Sequence, residues 1–522
     1  MPTPHLTPAL PFALPSGLPA TRGTVYGTLL NHRDALAALG EQVHAAPYKA
    51  PPKAPVLYIK PRNTWAEPGA AVGVPADAPE LEMGATLGLV IGRTACRVSA
   101  DAALDHVAGY VVMNDISVPH AAVYRPSMRF KCRDGFCPIG PVVPASASID
   151  PDALAITVAI DGTVVQRSST AGLIRPVARL LADVTEFMTL HPGDVLAVGV
   201  AAGCPRARAG QRVRIAIEGI GELEHTLVPE AAPDIQSPTT QPLPACHVPG
   251  ASASPAPATP TPSAAPTART ARVAYGGAIH TATPHPTGLQ LGDGRVLAEA
   301  DVVWLPPFEV GTVIALGLNY ADHVKELSKE LTVTTQDEPL AFLKSASALI
   351  GHRAHTRRPD GVAFMHYECE LAVVIGRTAK NVKRTEAMQC VAGYTVANDY
   401  AIRDYLENYY RPNLRVKNRD GCTVLGPWFV PAAEVPDPHN LALRTLVNGV
   451  QTQHGHTADL ISDIPALIEY LSSFMTLQPG DVILTGTPDG VVNVNAGDEV
   501  VTEIDGIGRL VNTIVGDRIF NI

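Results

Sequence analysis

The sequence predicts a mainly β fold with some α, an α+β class, in which one domain occurs twice. Three observations carry this: self-similarity at a nearly constant offset, a proline-rich stretch between the copies, and short β-branched runs punctuated by turn residues. With 522 residues, the chain exceeds what one hydrophobic core supports, so two or three domains are required before any motif is considered.

The repeat fixes the architecture. VIGRTA at 90–95 returns at 374–379, VAGY at 107 returns at 391, and Asn114-Asp115 returns as Asn398-Asp399, all at an offset of 284. YRP (124 and 410) and RDG (133 and 419) recur at 286; FMTL (187 and 474), PGDV (192 and 479) and IEGIG/IDGIG (217 and 504) recur at 287. Drift this small means short loop insertions within one fold.

Between the copies, residues 229–266 hold eleven prolines among Ala, Ser and Thr. Such a composition cannot bury a core and favours extended, solvated backbone. The expected organisation is a mobile tail at 1–22, a first repeat at 23–228, a linker and lead-in at 229–284, and a second repeat at 285–522. Inside each repeat, runs such as ELAVVIG, YTVANDY, DVILTG and DEVVTEIDGIG are bounded by Gly, Pro, Asn and Asp, as strands joined by turns are. The clearest helical spacing lies at 459–475, with Asp459 placed to cap it.

A formal charge of −10 gives no general attraction to nucleic acid or anionic membrane, so an anionic small molecule must be met by a local positive field. The eight cysteines are scattered rather than arranged as a disulfide framework, and the proline-broken N-terminus lacks a basic region before an apolar core; both fit a reducing cytoplasm. There is no G-x-S-x-G elbow, no Walker loop and no G-x-G-x-x-G opening a helix, which leaves serine hydrolase, nucleotide hydrolase and dinucleotide oxidoreductase chemistry without support.

In the second repeat, Glu368 and Glu370 of HYECELAVVIG stand two apart on a predicted strand, so both carboxylates project from one face. A bare Glu-x-Glu pair is more often a solvated strand face; here the surroundings are apolar. Buried carboxylates need a cation, and Asp399 on the strand YTVANDY would complete a three-oxygen set for a hard divalent ion. The following stretch holds Arg403, Arg411, Arg415, Lys417 and Arg419, which reads either as a local anion pocket in an otherwise acidic protein or as a solvated basic face. His323 and Glu326 of GLNYADHVKEL lie three apart on a predicted short helix, within reach for the carboxylate to orient the imidazole, although a lone His-x-x-Glu is usually incidental. Thr487 sits in the Gly-rich turn LTGTPDG, able to hold a substrate carboxylate.

These strings, with VAGYTVANDYAIRDYLENYYRPNLRVKNRDG and FMTLQPGDVILTGTP, resemble the fumarylacetoacetate hydrolase family. LNHRDAL, APYKAPPKAPVLYIKPRNT and KCRDGFCPIGP extend the resemblance through the first repeat. It implies two tandem fumarylacetoacetase-type domains of mixed β-sandwich or β-roll architecture. It also implies a Mg2+ site, open to Mn2+ or Ca2+, at Glu368, Glu370 and Asp399. His323 and Glu326 match the family's lid dyad and Lys417 its active-site lysine; Lys344 and Thr487 match substrate-contacting positions, and Arg403 is a further substrate-binding candidate.

The implied substrates are small oxo or hydroxydienoate di- and tricarboxylates. The branch most similar to the central string decarboxylates 5-oxopent-3-ene-1,2,5-tricarboxylate and isomerises 2-hydroxyhepta-2,4-diene-1,7-dioate to 2-oxohept-3-ene-1,7-dioate in aromatic (4-hydroxyphenylacetate) catabolism. Acylpyruvate hydrolysis or hydration of a 2-hydroxydienoate on the same metal is the alternative within the family, and a noncatalytic binding or assembly protein the alternative outside it. Intimate pairing of the two repeats is expected, with or without assembly into a homo-oligomer.

The first repeat departs from the pattern. At the offset of 284, Glu368 and Glu370 fall on Gly84 and Thr86, leaving Asp115 alone of the metal set. The lid dyad falls on Ala35 and Ala38, and Val200 replaces Thr487, while Lys60 and Lys131 survive as counterparts of Lys344 and Lys417. A candidate site at Lys60, Asp115 and Lys131 would therefore work without metal, or else the first repeat is a scaffold.

Overall fold

The computed structural model describes residues 23–121, 123–124, 127–230, 268–322, 338–405 and 414–517. The expected tail at 1–22 and most of the linker lie outside the described residues, as do His323 and Glu326. Each repeat is built on a large mixed sheet. In the first, six strands run in the order Val56–Lys60, Val25–Leu29, Val195–Ala197, Ala85–Ile91, Val107–Asn114, Val143–Pro144. In the second, seven strands run Leu340–Lys344, Val313–Gly317, Val482–Leu484, Cys369–Ile375, Val391–Asp399, Thr423–Pro431, Leu349–Gly351.

The two orders correspond strand for strand over the first five positions. Both contain the same parallel pair, Val25 with Val195 and Val313 with Val482, flanked by antiparallel neighbours. The central strands Ala85–Ile91 and Cys369–Ile375 are buried along their whole length, which is why, apart from Thr86 and Glu370, they read as apolar runs rather than alternating ones. A five-stranded sheet packs with each large sheet, its outer members being the exposed hairpin strand Thr163–Ser169 in one case and Val450–His456 in the other.

Helices are few. The longest described one in the second repeat is Ile464–Phe474, and its cap is Asp463, whose carboxylate accepts the N–H of Ala466 at 3.0 Å. Asp459, expected as the cap, instead ends a short 3-10 turn at Thr457–Asp459. Pro465 decides this: proline is tolerated in the first turn of a helix but not farther in, so the helix starts just ahead of it. No helix among the described residues is long and apolar enough to cross a membrane.

One further element bears on the boundary expected at 285. Residues 271–305 form a five-stranded antiparallel sheet ordered Val296–Leu297, Gly288–Leu291, Ala278–His285, Ala271–Tyr275, Val303–Leu305. The proposed boundary falls inside its second hairpin. Its own small core of Ala271, Val273, Leu289, Leu291 and Trp304 is closed against the second repeat by an edge-to-face contact of Trp304 with Trp428, ring centroids 5.5 Å apart. Its strands are short and broken by Gly-rich turns at 276–277 and 292–294, and no copy in the first repeat signals them.

The repeats share one continuous apolar core, which includes Tyr26 and Leu57 from the first and Leu471 and Ile514 from the second. At its edge they exchange equivalent contacts. Thr189 donates its N–H and hydroxyl to Asp420 at 2.8 and 2.6 Å, and Thr476 donates the same two groups to Asp134 at 2.8 and 2.7 Å. Thr189 and Thr476 come from the two copies of FMTL, Asp134 and Asp420 from the two copies of RDG. An internal pseudo-two-fold axis therefore relates the halves, with the self-complementary logic of a C2 dimer interface.

Two predictions follow from these contacts. Asp420→Ala should cost about 1–3 kcal/mol, because it leaves two donors without their acceptor, and Asp134→Ala at least as much, because it also strands the Asn63 amide, which donates to it at 2.7 Å, and Lys380, paired with it at 3.0 Å. Urea unfolding checks this, and a silent variant on either side would show that the exchange is not reciprocal in energy. The second concerns His225 and His352, both buried. The Nε2 of His225 accepts from the Asn114 amide at 2.8 Å, and the Nδ1 of His352 accepts the Val511 N–H at 3.1 Å. Burial pushes them down to about 4 and about 3. An unfolded histidine titrates near 6.5, so the neutral folded forms are fully stabilising above about that pH and lose stability as pH falls toward 4. Thermal melts from pH 7 to 4 should show the decline, and His225→Asn should flatten it by on the order of 1–3 kcal/mol; an unchanged slope would assign the decline elsewhere.

Candidate metal-dependent active site

Strand register assembles the three carboxylates. Glu370 is the second residue of Cys369–Ile375, Glu368 immediately precedes that strand, and Asp399 ends Val391–Asp399. The two strands are antiparallel neighbours with Cys369 opposite Asn398 and Glu370 opposite Ala397. The Asp399 N–H donates to the Glu368 carbonyl at 3.0 Å, and the Glu368 N–H donates to the side-chain oxygen of Asn398 at 3.1 Å. One carboxylate oxygen from each of Glu368, Glu370 and Asp399 lies within 4.8 Å of the others, and this is the one such cluster among the described residues.

Exposure is 9%, 1% and 0% for Glu368, Glu370 and Asp399, so water cannot offset their repulsion. Two ammonium groups partly do. Lys417 reaches Glu368 at 2.5 Å and Asp399 at 3.0 Å; Lys344 reaches the other oxygen of Asp399 at 2.5 Å and also donates to the Lys417 carbonyl. Three carboxylates against two ammoniums leave one net negative charge in a nearly dry pocket. Its physical signature is at Glu370, whose carboxyl is raised well above the usual range by burial and then by Asp399 and Glu368, against Lys417 and the Gly486 N–H that donates to it at 2.6 Å. For Lys417, burial works against the ammonium, but Asp399 and Glu368 outweigh it and the balance is upward. A cluster of hard oxygen donors with an excess of negative charge fits a divalent cation such as Mg2+, Mn2+ or Ca2+.

The remaining expected residues occupy varied settings. Lys344 has no side-chain exposure and spends its donors on Asp399 and a backbone carbonyl, so it orients Asp399 rather than presenting itself to a substrate. Thr487 is buried in its turn, its hydroxyl accepting from the Gln453 amide at 2.9 Å; the same amide holds the Pro488 carbonyl at 2.8 Å. Arg403 opens the turn Arg403–Tyr405, partly exposed, and its guanidinium has no hydrogen-bond or ion-pair partner among the described residues.

Sequence reasoning missed His366, fully buried with its Nδ1 3.7 Å from Glu368, although it stands beside the Glu-x-Glu pair. It also missed Gln453, which carries no local signal, and Asn418, whose side-chain oxygen accepts the Ser345 N–H and ties the lysine-bearing segments together.

The first repeat grips the segment carrying Lys417 on both sides. Glu186 pairs with Arg415 at 2.7 Å and approaches Arg419 at 3.6 Å, Phe187 lies under the Arg415 guanidinium at 5.5 Å, and Asp420 is the acceptor for Thr189. Within the first repeat itself, Asp115 is held by Lys60 and Lys131, each at 2.7 Å, and by the Tyr58 hydroxyl. Gly84 and Thr86 stand where the glutamates would be, and the Thr86 hydroxyl donates to the Gly199 carbonyl at 2.8 Å.

Comparison with known proteins agrees with this double construction. The model of the fumarylacetoacetate (FAA) hydrolase C-terminal family matches residues 24–228 and again 312–515. The 4-hydroxyphenylacetate degradation bifunctional isomerase/decarboxylase of Salmonella dublin is 44% identical over 500 residues, covering 96% of this chain and 100% of that one. The homoprotocatechuate catabolism bifunctional isomerase/decarboxylase of Escherichia coli is 43% identical over 497 residues, covering 95% and 99%. Among solved structures, the 2-hydroxyhepta-2,4-diene-1,7-dioate isomerase of Mycobacterium marinum is 34% identical and covers 48% of this chain and 99% of its own, with a TM-score of 0.41. Two matched domains on a chain aligned end to end with such relatives mean that this protein belongs to the fumarylacetoacetate hydrolase family.

Proposed function

We propose that the protein decarboxylates 5-oxopent-3-ene-1,2,5-tricarboxylate and isomerises the resulting 2-hydroxyhepta-2,4-diene-1,7-dioate to 2-oxohept-3-ene-1,7-dioate, with Mg2+ at Glu368, Glu370 and Asp399. The observation that carries this is the buried three-carboxylate cluster with Lys417 against it, on a chain 44% identical from end to end to a relative named for both activities.

When bound, the cation supplies Lewis-acid stabilisation to a 2-oxo carboxylate and to the enolate derived from it. The chain's own residues do the rest. Lys344 and Asn398 fix Asp399 and the Glu368 backbone, so that the cluster is set before substrate arrives. Lys417, held cationic by Asp399 and Glu368, places an ammonium proton beside the pocket, suited to protonating the 2-oxo oxygen as the electron pair left by departing carbon dioxide delocalises onto it, and then to protonating C5 of the dienol as its hydroxyl proton leaves in the isomerisation. Arg403 and Thr487 are assigned to the substrate carboxylates, and His323 with Glu326 to a second proton transfer; the latter pair rests on sequence pattern alone.

Two expected outcomes follow. Glu368→Ala should abolish Mg2+-dependent release of carbon dioxide from the tricarboxylate, with loss on the order of 1,000-fold or more, read as carbon dioxide evolution with parallel ultraviolet detection of the dienoate. A wild type that cleaves acylpyruvates but releases no carbon dioxide would replace this reading with hydrolysis. Glu370→Gln should raise the melting temperature of the metal-free protein, since it removes one carboxylate from a buried excess of negative charge, and should erase the stabilisation that Mg2+ gives the wild type, about 2.7 kcal/mol at a hundredfold excess over Kd. A Mg2+ response that survives Glu370→Gln would place the ion elsewhere.

A further inference from the structure

The first repeat keeps the frame of the second but inverts its charge. Lys60, Asp115 and Lys131 stand as Lys344, Asp399 and Lys417 do, while the two glutamates are gone. The position of Glu368 is closed by backbone: a Cβ on Gly84 would lie 2.5 Å from the Asp115 carbonyl oxygen. The position of Glu370 is taken by Thr86, whose hydroxyl is spent on Gly199. No metal site can be rebuilt there by side chains alone.

What remains is two buried ammoniums against one carboxylate. Lys60 is fully used, donating to the carbonyls of Ile116, Lys131 and Phe136 at 2.9 Å each and pairing with Asp115 at 2.7 Å. Lys131 is not. It is 8% exposed, and its only polar partner among the described residues is Asp115 at 2.7 Å, with the Tyr58 ring 4.8 Å away. Asp115 is shared with Lys60 and the Tyr58 hydroxyl, so two of the three Lys131 N–H groups have no acceptor.

The neighbouring acid offsets this charge only in part, because it is shared with Arg206. Glu82 is half-buried, sits 3.6 Å from Arg206, and its carboxyl is raised by burial. A buried ammonium with spare donors, whose one counter-charge is shared with a second ammonium, is costly unless an anion completes it.

We propose that the first repeat holds a metal-independent binding site for a carboxylate, centred on Lys131 with Asp115 and Tyr58, and that its ligand is one end of the same class of oxo or hydroxydienoate dicarboxylate. The identity of the ligand class rests on the function proposed above; the anion site itself rests on the charge inversion. The second repeat requires a cation before it can accept such a molecule, and the first requires none.

The test uses the full-length protein carrying Glu370→Gln, stripped of metal with EDTA and titrated calorimetrically with oxalate as the planar carboxylate probe. Saturable binding of one equivalent is expected. It should weaken tenfold or more on adding Lys131→Met, recover in part with Lys131→Arg, and stay unchanged with Lys417→Met. Lys131→Met also breaks the pair with buried Asp115, so Lys131→Arg, which keeps both the charge and that pair, together with a circular dichroism spectrum of each variant, guards against a folding artefact. Absence of saturable binding, binding that Lys131→Met leaves unmoved, or equal affinity for sulfate would each overturn the proposal. Because no turnover is measured, failure of the decarboxylase reading leaves this result interpretable on its own.

Discussion

Asp399 and Asp115 each sit at or just beyond the end of a buried strand, with two lysines closing on the carboxylate from opposite sides. Much of each repeat can be understood as the machinery for keeping that pairing dry. An ionised carboxylate taken out of water is tolerable only when ammoniums and N–H groups replace the water it has lost. The lysines come from distant segments, Lys60 and Lys344 from strand ends and Lys131 and Lys417 from one-turn helices, so satisfying the aspartate also fixes how those segments meet. In the second repeat, two glutamates then shift the balance toward a cation; in the first, a glycine and a threonine shift it the other way.

The contacts between repeats show why a half without the carboxylate triad is still kept in place. Lys417 lies between Arg415, paired with Glu186 of the first repeat, and Asp420, which accepts from Thr189 of the first repeat. The segment that carries Lys417 in one half is therefore shaped by side chains of the other. The mirror arrangement is not identical: the residue corresponding to Glu186 is Ser473, and Arg129, the counterpart of Arg415, turns to Asp77 and Glu338.

Much of this was legible in the sequence because repetition and strand period are local signals. A shared offset showed the two domains, and spacing by two put Glu368 and Glu370 on one face, where the structure has them. What was not legible depends on distance. Thr189 and Asp420 lie 231 residues apart, and nothing near either names its partner. Gln453 supports the Thr487 turn from another sheet, and Lys344 turned inward because its strand end is enclosed, a property of packing rather than of its neighbours in sequence. The cap of the helix Ile464–Phe474 fell to Asp463 through proline placement, a rule that a purely periodic reading overrides too easily. The sheet at 271–305 has no counterpart among the described residues of the first repeat, so repetition gave no signal for it.

Gly84 gives the divergence of the halves a direction in time. Where only side chains are lost, a site can return by the substitutions that removed it. Here the neighbouring chain has settled against the empty position, with the Asp115 carbonyl oxygen 2.5 Å from where a Cβ would stand. Restoring an acidic residue would require the backbone to move first, while a second substitution at Thr86 would confer no advantage alone. A steric ratchet thus keeps the first half from regaining the carboxylate triad, and change around Gly84 is free to proceed so long as Glu186 and Thr189 keep their contacts with the second half.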